Sequence, residues 1–245
     1  MKPMTHKLSL AALLSLALAA PVAQAEDKKP DDEVSFNASL TTDYRYRGMS
    51  QTRLKPALQG GADYVNNPTG FYAGTWLSTI KWIKDAGGDG NIEWDIYGGK
   101  RGDIGGGVSY DVGGLYYFYP SNSLPTNANT FELYGQLGYG PAYAKYSIST
   151  TNLFGTADSK KSGYLDLGAN VDLGSGFTLN LHAGHQQVKN NSAFSYTDYK
   201  IGVTKDLGVC SVSLAVIGTD TDVAVSPDGK NLGKTSAVLS VTKTF

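Results

Sequence analysis

The chain has 245 residues, of which 41% are hydrophobic, 11% aromatic and 18% charged, with 30 glycines and a formal net charge of −1. A mean hydropathy of −0.24 excludes a bundle of transmembrane helices, and abundant aromatic residues with few charges exclude a disordered chain. A single Cys excludes an internal disulfide. Because 21 Lys and Arg are balanced by 22 Asp and Glu without a basic cluster, nucleic acid is not an expected partner.

The first 25 residues have the three parts of a secretory signal peptide. Lys2 and Lys7 make a basic start, residues 8–20 are a continuous apolar run, and residues 23–25 (AQA) supply small side chains for cleavage. The apolar run is too short to cross a bilayer comfortably. We predict a cleaved signal peptide over 1–25, a short polar periplasmic leader over 26–33 and one domain over 34–245.

Apolar and polar residues alternate along most of this domain. In residues 34–47, one face is largely apolar from Val34 to Tyr46, whereas the other carries seven polar residues that end with Asp43, Arg45 and Arg47. Such alternation predicts a strand, and fourteen residues is longer than an ordinary globular strand. Twelve segments of this kind are predicted: 34–47, 56–64, 71–82, 92–99, 104–119, 131–137, 142–149, 163–173, 177–188, 196–205, 209–219 and 235–245.

The connections between these segments alternate between seven to fifteen residues and three to six residues. A soluble β-sandwich also buries every second side chain, but it does not require long and short connections to alternate. Outer-membrane barrels have long external loops, short periplasmic turns and an even number of strands. The sequence therefore predicts an all-β fold, an up-and-down antiparallel transmembrane β-barrel of about twelve strands. Its last strand should pair with its first, because an open edge in hydrocarbon leaves backbone groups unpaired.

Aromatic residues concentrate near the ends of the predicted strands on the apolar face, as in the aromatic girdles of membrane barrels. We predict that the following side chains lie at the lipid interface: Tyr44, Tyr46, Tyr64, Trp94, Phe131, Phe177 and Tyr199. Phe245 ends an amphipathic last segment. A terminal aromatic residue in this position is interpreted as an assembly signal for the outer membrane.

Residues 41–52 (TTDYRYRGMSQT), 56–64 (PALQGGADY) and 70–80 (GFYAGTWLSTI) resemble the TorF-type porin family, proteobacterial conserved outer-membrane proteins of about this length. The motifs lie in the first third of the mature chain, and the length and the terminal aromatic residue extend the resemblance over the whole domain. Lys243 departs from the terminal pattern, in which an apolar or aromatic residue is usual. The resemblance implies an outer-membrane barrel with a pore and leaves the solute unassigned.

The polar faces of the predicted strands would line the interior of such a barrel. The candidate pore-lining residues are Asp43, Arg45, Arg47, Gln59, Asp63, Glu93, Asp95, Tyr97, Asp111, Glu132, Tyr134, Lys145, Asp166, Asn170, His182, Asp198 and Lys200. Acidic side chains outnumber basic ones in this set, so a water-filled interior would mildly favour cations. The alternative is a plugged interior in which the charges pair, because a bore of roughly 10 Å closes if long side chains cross it.

Catalytic and metal-binding motifs are not found in the sequence. His182 and His185 are three residues apart, which places them on opposite faces of a strand, so they do not chelate one metal ion. Residues 85–93 lack the spacing of a calcium-binding loop, and no G-x-S-x-G motif accompanies His182. We therefore expect no catalytic residue, metal or cofactor, and we interpret His182 as a polar lining residue.

These features together favour a channel for passive diffusion of small hydrophilic solutes across the outer membrane of a Gram-negative bacterium, not an enzyme. Expected partners are outer-membrane lipid and lipopolysaccharide, the barrel-assembly machinery during biogenesis, and the solutes. One alternative is a non-conducting structural or receptor barrel whose loops bind a partner. A second alternative is a barrel enzyme that acts on lipid.

Overall fold

A computed structural model describes residues 30–245 of the chain, and the predicted signal peptide lies outside these residues. The strands are β1 (Asp32–Thr41), β2 (Arg45–Tyr46), β3 (Met49–Ser50), β4 (Ala57–Asn66), β5 (Phe71–Thr79), β6 (Ile92–Gly105), β7 (Val108–Phe118), β8 (Thr130–Tyr139), β9 (Ala142–Ser149), β10 (Gly163–Gly174), β11 (Phe177–Gln187), β12 (Tyr196–Asp206), β13 (Ser211–Thr219) and β14 (Ser236–Thr244). The helices in this range are α1 (Trp82–Asp85) and a 3-10 turn at Ser192–Phe194. Among residues 30–245, no helix is long and apolar enough to cross a membrane.

Within the described range, twelve of these strands close into one antiparallel barrel. The closure joins β1 to both β4 and β14, so that Leu40 lies opposite Leu58 on one side and Val241 on the other. Phe245 extends this seam, because its N–H donates to the carbonyl oxygen of Phe36 at 2.8 Å and its own carbonyl accepts from the Phe36 N–H at 3.3 Å. The predicted twelve-strand barrel with paired ends is confirmed.

The long connections lie at one end of the barrel, here called the loop end, and the short connections lie at the other, the turn end. The loop end consists of residues 42–56, 80–91, 119–129, 150–162, 188–195 and 220–235, and the turn end of 67–70, 106–107, 140–141, 175–176 and 207–210. Strand pairing places them there because every strand runs antiparallel to its neighbours.

The outer face of the barrel is apolar and exposed. In β1, Val34 and Leu40 are 60% and 59% exposed, and their neighbours across the strand pairs include Leu58, which is 64% exposed. Alternate residues such as Ser39 face the interior, where Thr242 donates a hydrogen bond to the Ser39 hydroxyl at 2.9 Å. A continuous exposed apolar surface of this extent is the arrangement that a lipid environment stabilises.

The first predicted segment is wrong in its second half. β1 begins at Asp32, within the predicted leader, and ends at Thr41, whereas the alternation of apolar and polar residues continues to Arg47. After Thr41 the chain turns into the barrel, and β2 pairs with β3 in a hairpin separate from the barrel wall. Residues 42–54, which contain this structure, are called the inward hairpin.

Tyr44 and Tyr46 therefore do not lie at a lipid interface, which corrects the sequence-based prediction. The Tyr44 ring packs edge-on against Trp76 at a centroid distance of 5.3 Å, and the Tyr46 ring packs against Tyr117 at 5.5 Å. The physical reason is that a cluster of buried apolar side chains at the loop end offers these rings a larger contact area inside the barrel. Members of this cluster are Tyr44, Ala57, Ile80, Ile83, Leu115, Tyr117, Tyr119 and Ala128.

The other predicted interface aromatics lie on the outer face near the two ends of the barrel. Tyr64 and Phe177, both 41% exposed, lie near the turn end, and Trp94 and Tyr199, at 38% and 41%, lie near the loop end. Phe131 is half-buried beside them at the start of β8. Two belts separated by an apolar band are the geometry of aromatic girdles. Contact of these side chains with lipid stays a prediction.

Candidate functional site

Every candidate pore-lining residue faces the barrel interior, and none of their side chains is exposed. For residues in the barrel wall, the inward orientation follows because successive side chains of a strand point to opposite faces of the sheet. Asp43, Arg45 and Arg47 reach the interior for a different reason, because the inward hairpin carries them there. That these residues line a conducting path stays a prediction.

The interior is filled at the loop end and less crowded toward the turn end. β6 shows this along one strand, since the inward-facing Glu93 and Asp95 near its start are 1% and 0% exposed. Further along the same face, Tyr97 and Arg101 are half-buried. The inward hairpin and the buried apolar cluster occupy the loop-end half, so the barrel narrows there.

Arg47 fastens the inward hairpin across the interior. Its guanidinium forms a two-point ion pair with Glu132, with Nη1–Oε1 and Nη2–Oε2 distances of 3.1 and 2.7 Å, and Nη1 also donates to Gln186 Oε1 at 2.5 Å. The group stacks 4.0 Å above the ring of Tyr164. Burial alone lowers the pKa of Arg47, but the Glu132 carboxylate outweighs this effect and holds the pKa well above its ordinary value. Arg47 therefore stays charged and joins the hairpin to β8 and β11.

The fold of the inward hairpin is organised around the Asp43 carboxylate. Oδ1 accepts from the Ser50 hydroxyl at 2.5 Å and from the Thr52 hydroxyl at 3.2 Å, and Oδ2 accepts from Arg45 Nε at 2.5 Å. Arg45 Nη1 donates in turn to the carbonyl of Leu232 at 3.1 Å. These contacts fix the hairpin internally and attach it to the last loop.

His182 lies between two carboxylates on the barrel wall. Its Nδ1 is 2.8 Å from Asp166 Oδ1 and its Nε2 is 2.6 Å from Asp198 Oδ1. The Tyr164 hydroxyl donates to Asp198 Oδ2 at 2.9 Å. His185 points outward, with Nδ1 3.1 Å from the Thr197 hydroxyl, so the prediction of opposite faces is confirmed.

This His182 cluster has the chemistry of a structural network. In the part of the chain that the structure describes, the side chains within hydrogen-bond distance of His182 are those of Tyr164, Asp166 and Asp198. Across residues 30–245, no group of three or more His, Cys, Asp or Glu side chains has the geometry of a metal site. The cluster is suited to cross-linking β10, β11 and β12.

Tyrosine hydroxyls bind several of the remaining interior carboxylates. Tyr44 donates to Glu93 Oε1 at 2.7 Å and Tyr97 donates to Asp63 Oδ1 at 2.6 Å. Asp95 has no such contact, because neither of its carboxylate oxygens has a hydrogen-bond partner among the described residues. The donors in these contacts are neutral hydroxyl groups.

Two interior side chains, those of Tyr72 and Arg101, are not predicted from the sequence. Tyr72 donates to Asp111 Oδ1 at 2.6 Å, and the guanidinium of Arg101 lies 5.3 Å from the Tyr72 ring centroid. Residues 71–82 have mixed faces and do not indicate that Tyr72 points inward, and Arg101 lies beyond the predicted segment, which ends at residue 99. Arg101 shares the parity of Glu93, but Gly98, Gly99 and Lys100 interrupt the alternation between them, so the pattern alone does not identify it.

The resulting balance of interior charge is close to neutral, with a local excess of acid. Ion pairs or charged hydrogen bonds link Asp43, Glu132, Asp166 and Asp198 to Arg45, Arg47 and His182. Carboxylates without a cationic partner in this set are Asp63, Glu93, Asp95 and Asp111, and the cations without a carboxylate partner are Arg101, Lys145 and Lys200. Lys145 Nζ lies 4.0 Å from the Tyr134 ring centroid.

A closed barrel with an apolar outside and a charged, partly filled inside defines a porin-type fold. Residues 24–245 match the Gcw_chp family, described as a bacterial protein of unknown function, and the chain belongs to this family. No curated protein matches the sequence. The name TorF for this family stays a prediction.

Solved structures share this fold at low sequence identity. The KdgM porin has a TM-score of 0.54 and 6% identity, covering 86% of this chain and 97% of that chain. A second structure, from work on in-meso crystallization of membrane proteins, has a TM-score of 0.52 and 6% identity, covering 86% and 83%. LpxR from Salmonella typhimurium is more distant, with a TM-score of 0.43 and 12% identity over 86% and 99%. The similarity to the first two structures concerns the barrel fold.

Proposed function

We propose that this protein is a channel in the outer membrane of Gram-negative bacteria through which small hydrophilic solutes diffuse. The observation that carries the proposal is the combination of an exposed apolar outer face with an interior of charged and hydroxyl side chains. A barrel of this kind is stable in lipid and offers polar groups along its axis. The signal peptide predicted over residues 1–25 and the resemblance to TorF-type porins support the same location.

The inward hairpin is the constriction of the proposed channel. It crosses the interior at the loop end, and Arg47 holds it against β8 and β11. Solutes that enter from the loop end must pass between this hairpin and the barrel wall. The constriction limits the channel to small solutes, and its width depends on how firmly Arg47 is held.

A mild preference for cations follows from Glu93 and Asp95. Both carboxylates face the interior at the filled end, and neither has a cationic partner. An excess of carboxylates over cations in the interior favours the passage of cations. The excess is small, since Arg101, Lys145 and Lys200 offset the acids elsewhere in the interior.

Planar-bilayer recording on the purified protein tests this proposal. The wild type should conduct, and its reversal potential in a KCl gradient should indicate cation preference. The variant Glu93→Gln/Asp95→Asn should conduct with a smaller preference, whereas the control Asp89→Asn/Asp222→Asn, in exposed loops, should match the wild type. An anion preference in the wild type would contradict the assigned role of Glu93 and Asp95.

The filled loop end also favours a second candidate, a non-conducting structural or receptor barrel. Complete burial of Asp95 is the observation behind it, because a continuous aqueous path would expose this carboxylate. Arg47→Met separates the two functions. Heat-dependent gel mobility first establishes that both proteins are folded. If the folded wild type is silent and folded Arg47→Met conducts, the hairpin closes a channel, and if both folded proteins are silent, the second candidate is correct.

A further inference from the structure

A pocket of about 300 Å³ opens at the loop end between three connections that are distant in sequence. Residues 42–56, 80–91 and 220–235 contribute to it, and they meet because β1 pairs with both β4 and β14. Thr52 and Ile80, at 3% and 1% exposure, form its buried base. The basic side chains that surround it are Arg53, Lys55, Lys81 and Lys230.

Two of these four cations are neutralised by carboxylates. Arg53 Nε donates to Asp85 Oδ1 at 2.6 Å, which ties the first loop to the second. Lys230 Nζ lies 2.7 Å from Asp228 Oδ2. The hydrogen bonds from Lys230 and from the Ser226 hydroxyl lower the pKa of Asp228 to about 2, so this carboxylate stays negative. The charges cancel within each pair, so these four side chains give the pocket no net charge.

Lys55 and Lys81 supply the net charge of the pocket. Both are exposed, and within residues 30–245 no carboxylate lies within 4.0 Å of either ammonium group. Thr79 and Asn91, which carry a hydroxyl and an amide, also line the pocket. The Thr79 hydroxyl oxygen accepts from the Leu58 N–H at 3.2 Å, which leaves its proton free to donate.

We propose that this pocket binds a phosphoryl group. A phosphate monoester carries a charge of about −1.5 to −2 at pH 7, which matches the two uncompensated lysines. Ammonium groups bind phosphate as point charges, and a hydroxyl and an amide N–H complete the set of donors. The volume exceeds that of phosphate alone and admits an attached sugar. The phosphoryl group belongs either to a free phosphorylated sugar or to the phosphorylated headgroup of lipopolysaccharide, and the site is independent of whether the barrel conducts.

Calorimetric titration of the folded, detergent-solubilised protein tests the first source, with glucose 6-phosphate as the probe and glucose as the neutral control. The wild type should bind glucose 6-phosphate and not glucose. Lys55→Gln/Lys81→Gln should weaken binding by about tenfold or more. Lys160→Gln/Lys161→Gln, which removes two exposed lysines from another loop, should leave it unchanged. Lys55→Arg/Lys81→Arg should retain binding, which controls for loss of fold.

Thermal unfolding in vesicles tests the second source, with phosphatidylcholine vesicles that contain or lack phosphorylated lipid A. If lipid A raises the unfolding temperature of the wild type but not of Lys55→Gln/Lys81→Gln, while glucose 6-phosphate fails to bind, the phosphoryl group is that of the lipid. The proposal is overturned if neither probe distinguishes these two proteins. It is also overturned if Lys160→Gln/Lys161→Gln loses as much binding as the pocket variant, because general surface charge would then explain the effect.

Discussion

Arg47→Met should destabilise the barrel more than any substitution of a surface charge. The change removes the guanidinium but keeps an unbranched apolar side chain of comparable length. It leaves the Glu132 carboxylate, whose side chain is only 3% exposed, without its cation. Gln186 loses a hydrogen bond, and the Tyr164 ring loses the cation stacked above it.

The expected cost follows from these contacts. Breaking a buried ion pair by removing one partner costs about 3–5 kcal/mol, because the other charge stays desolvated. Glu132→Gln leaves Arg47 with neutral acceptors and should cost less. In the double variant Arg47→Met/Glu132→Gln no charge is stranded, so the loss should be smaller than the sum of the single losses by about 1–3 kcal/mol.

Urea unfolding in detergent micelles, followed by tryptophan fluorescence and by heat-dependent gel mobility, measures these free energies. Lys230→Met is the control, since Lys230 pairs with Asp228 and their side chains are 47% and 50% exposed. Its free energy of unfolding should stay close to that of the wild type. If Arg47→Met is no more destabilising than Lys230→Met, or if the double variant shows no coupling, the inward hairpin is not held by Arg47 as described.

Three further predictions address the faces, the seam and the hairpin. In a Cys210→Ser background, Leu40→Cys on the outer face should react with a lipid-soluble maleimide, whereas Ser39→Cys on the inner face should be shielded from it. Equal labelling of the two variants would contradict the register of β1. Deleting Phe245 removes two backbone hydrogen bonds at the seam, so the heat-resistant folded band from outer membranes should decrease, and an unchanged band would contradict its role. Gly48→Ala should loosen the inward hairpin and raise the conductance of the channel. The φ angle of Gly48 is +78°, and an added Cβ would lie 2.6 Å from the Thr219 side chain. An unchanged conductance would contradict this packing.

The barrel wall was predictable because its determinants are local. A strand in a membrane barrel must alternate apolar and polar side chains, so β9 coincides with the predicted segment 142–149. The long and short connections likewise follow from strand direction alone. The predicted and observed strands differ where glycine weakens the alternation. β6 continues through Gly98 and Gly99 to Gly105, beyond the predicted end at residue 99, and so adds Arg101 to the interior.

The sequence by itself determined the class of fold, the number of strands and the polar interior, because each depends on a period of two that every strand carries independently. Only the tertiary structure decided that the chain leaves the wall after Thr41. Tyr44 and Tyr46 alternate with charged residues whether they face lipid or the buried apolar cluster, so the pattern is the same in both arrangements. The choice depends on Trp76, Tyr117, Glu132 and Gln186, which come together with the hairpin only when the barrel closes.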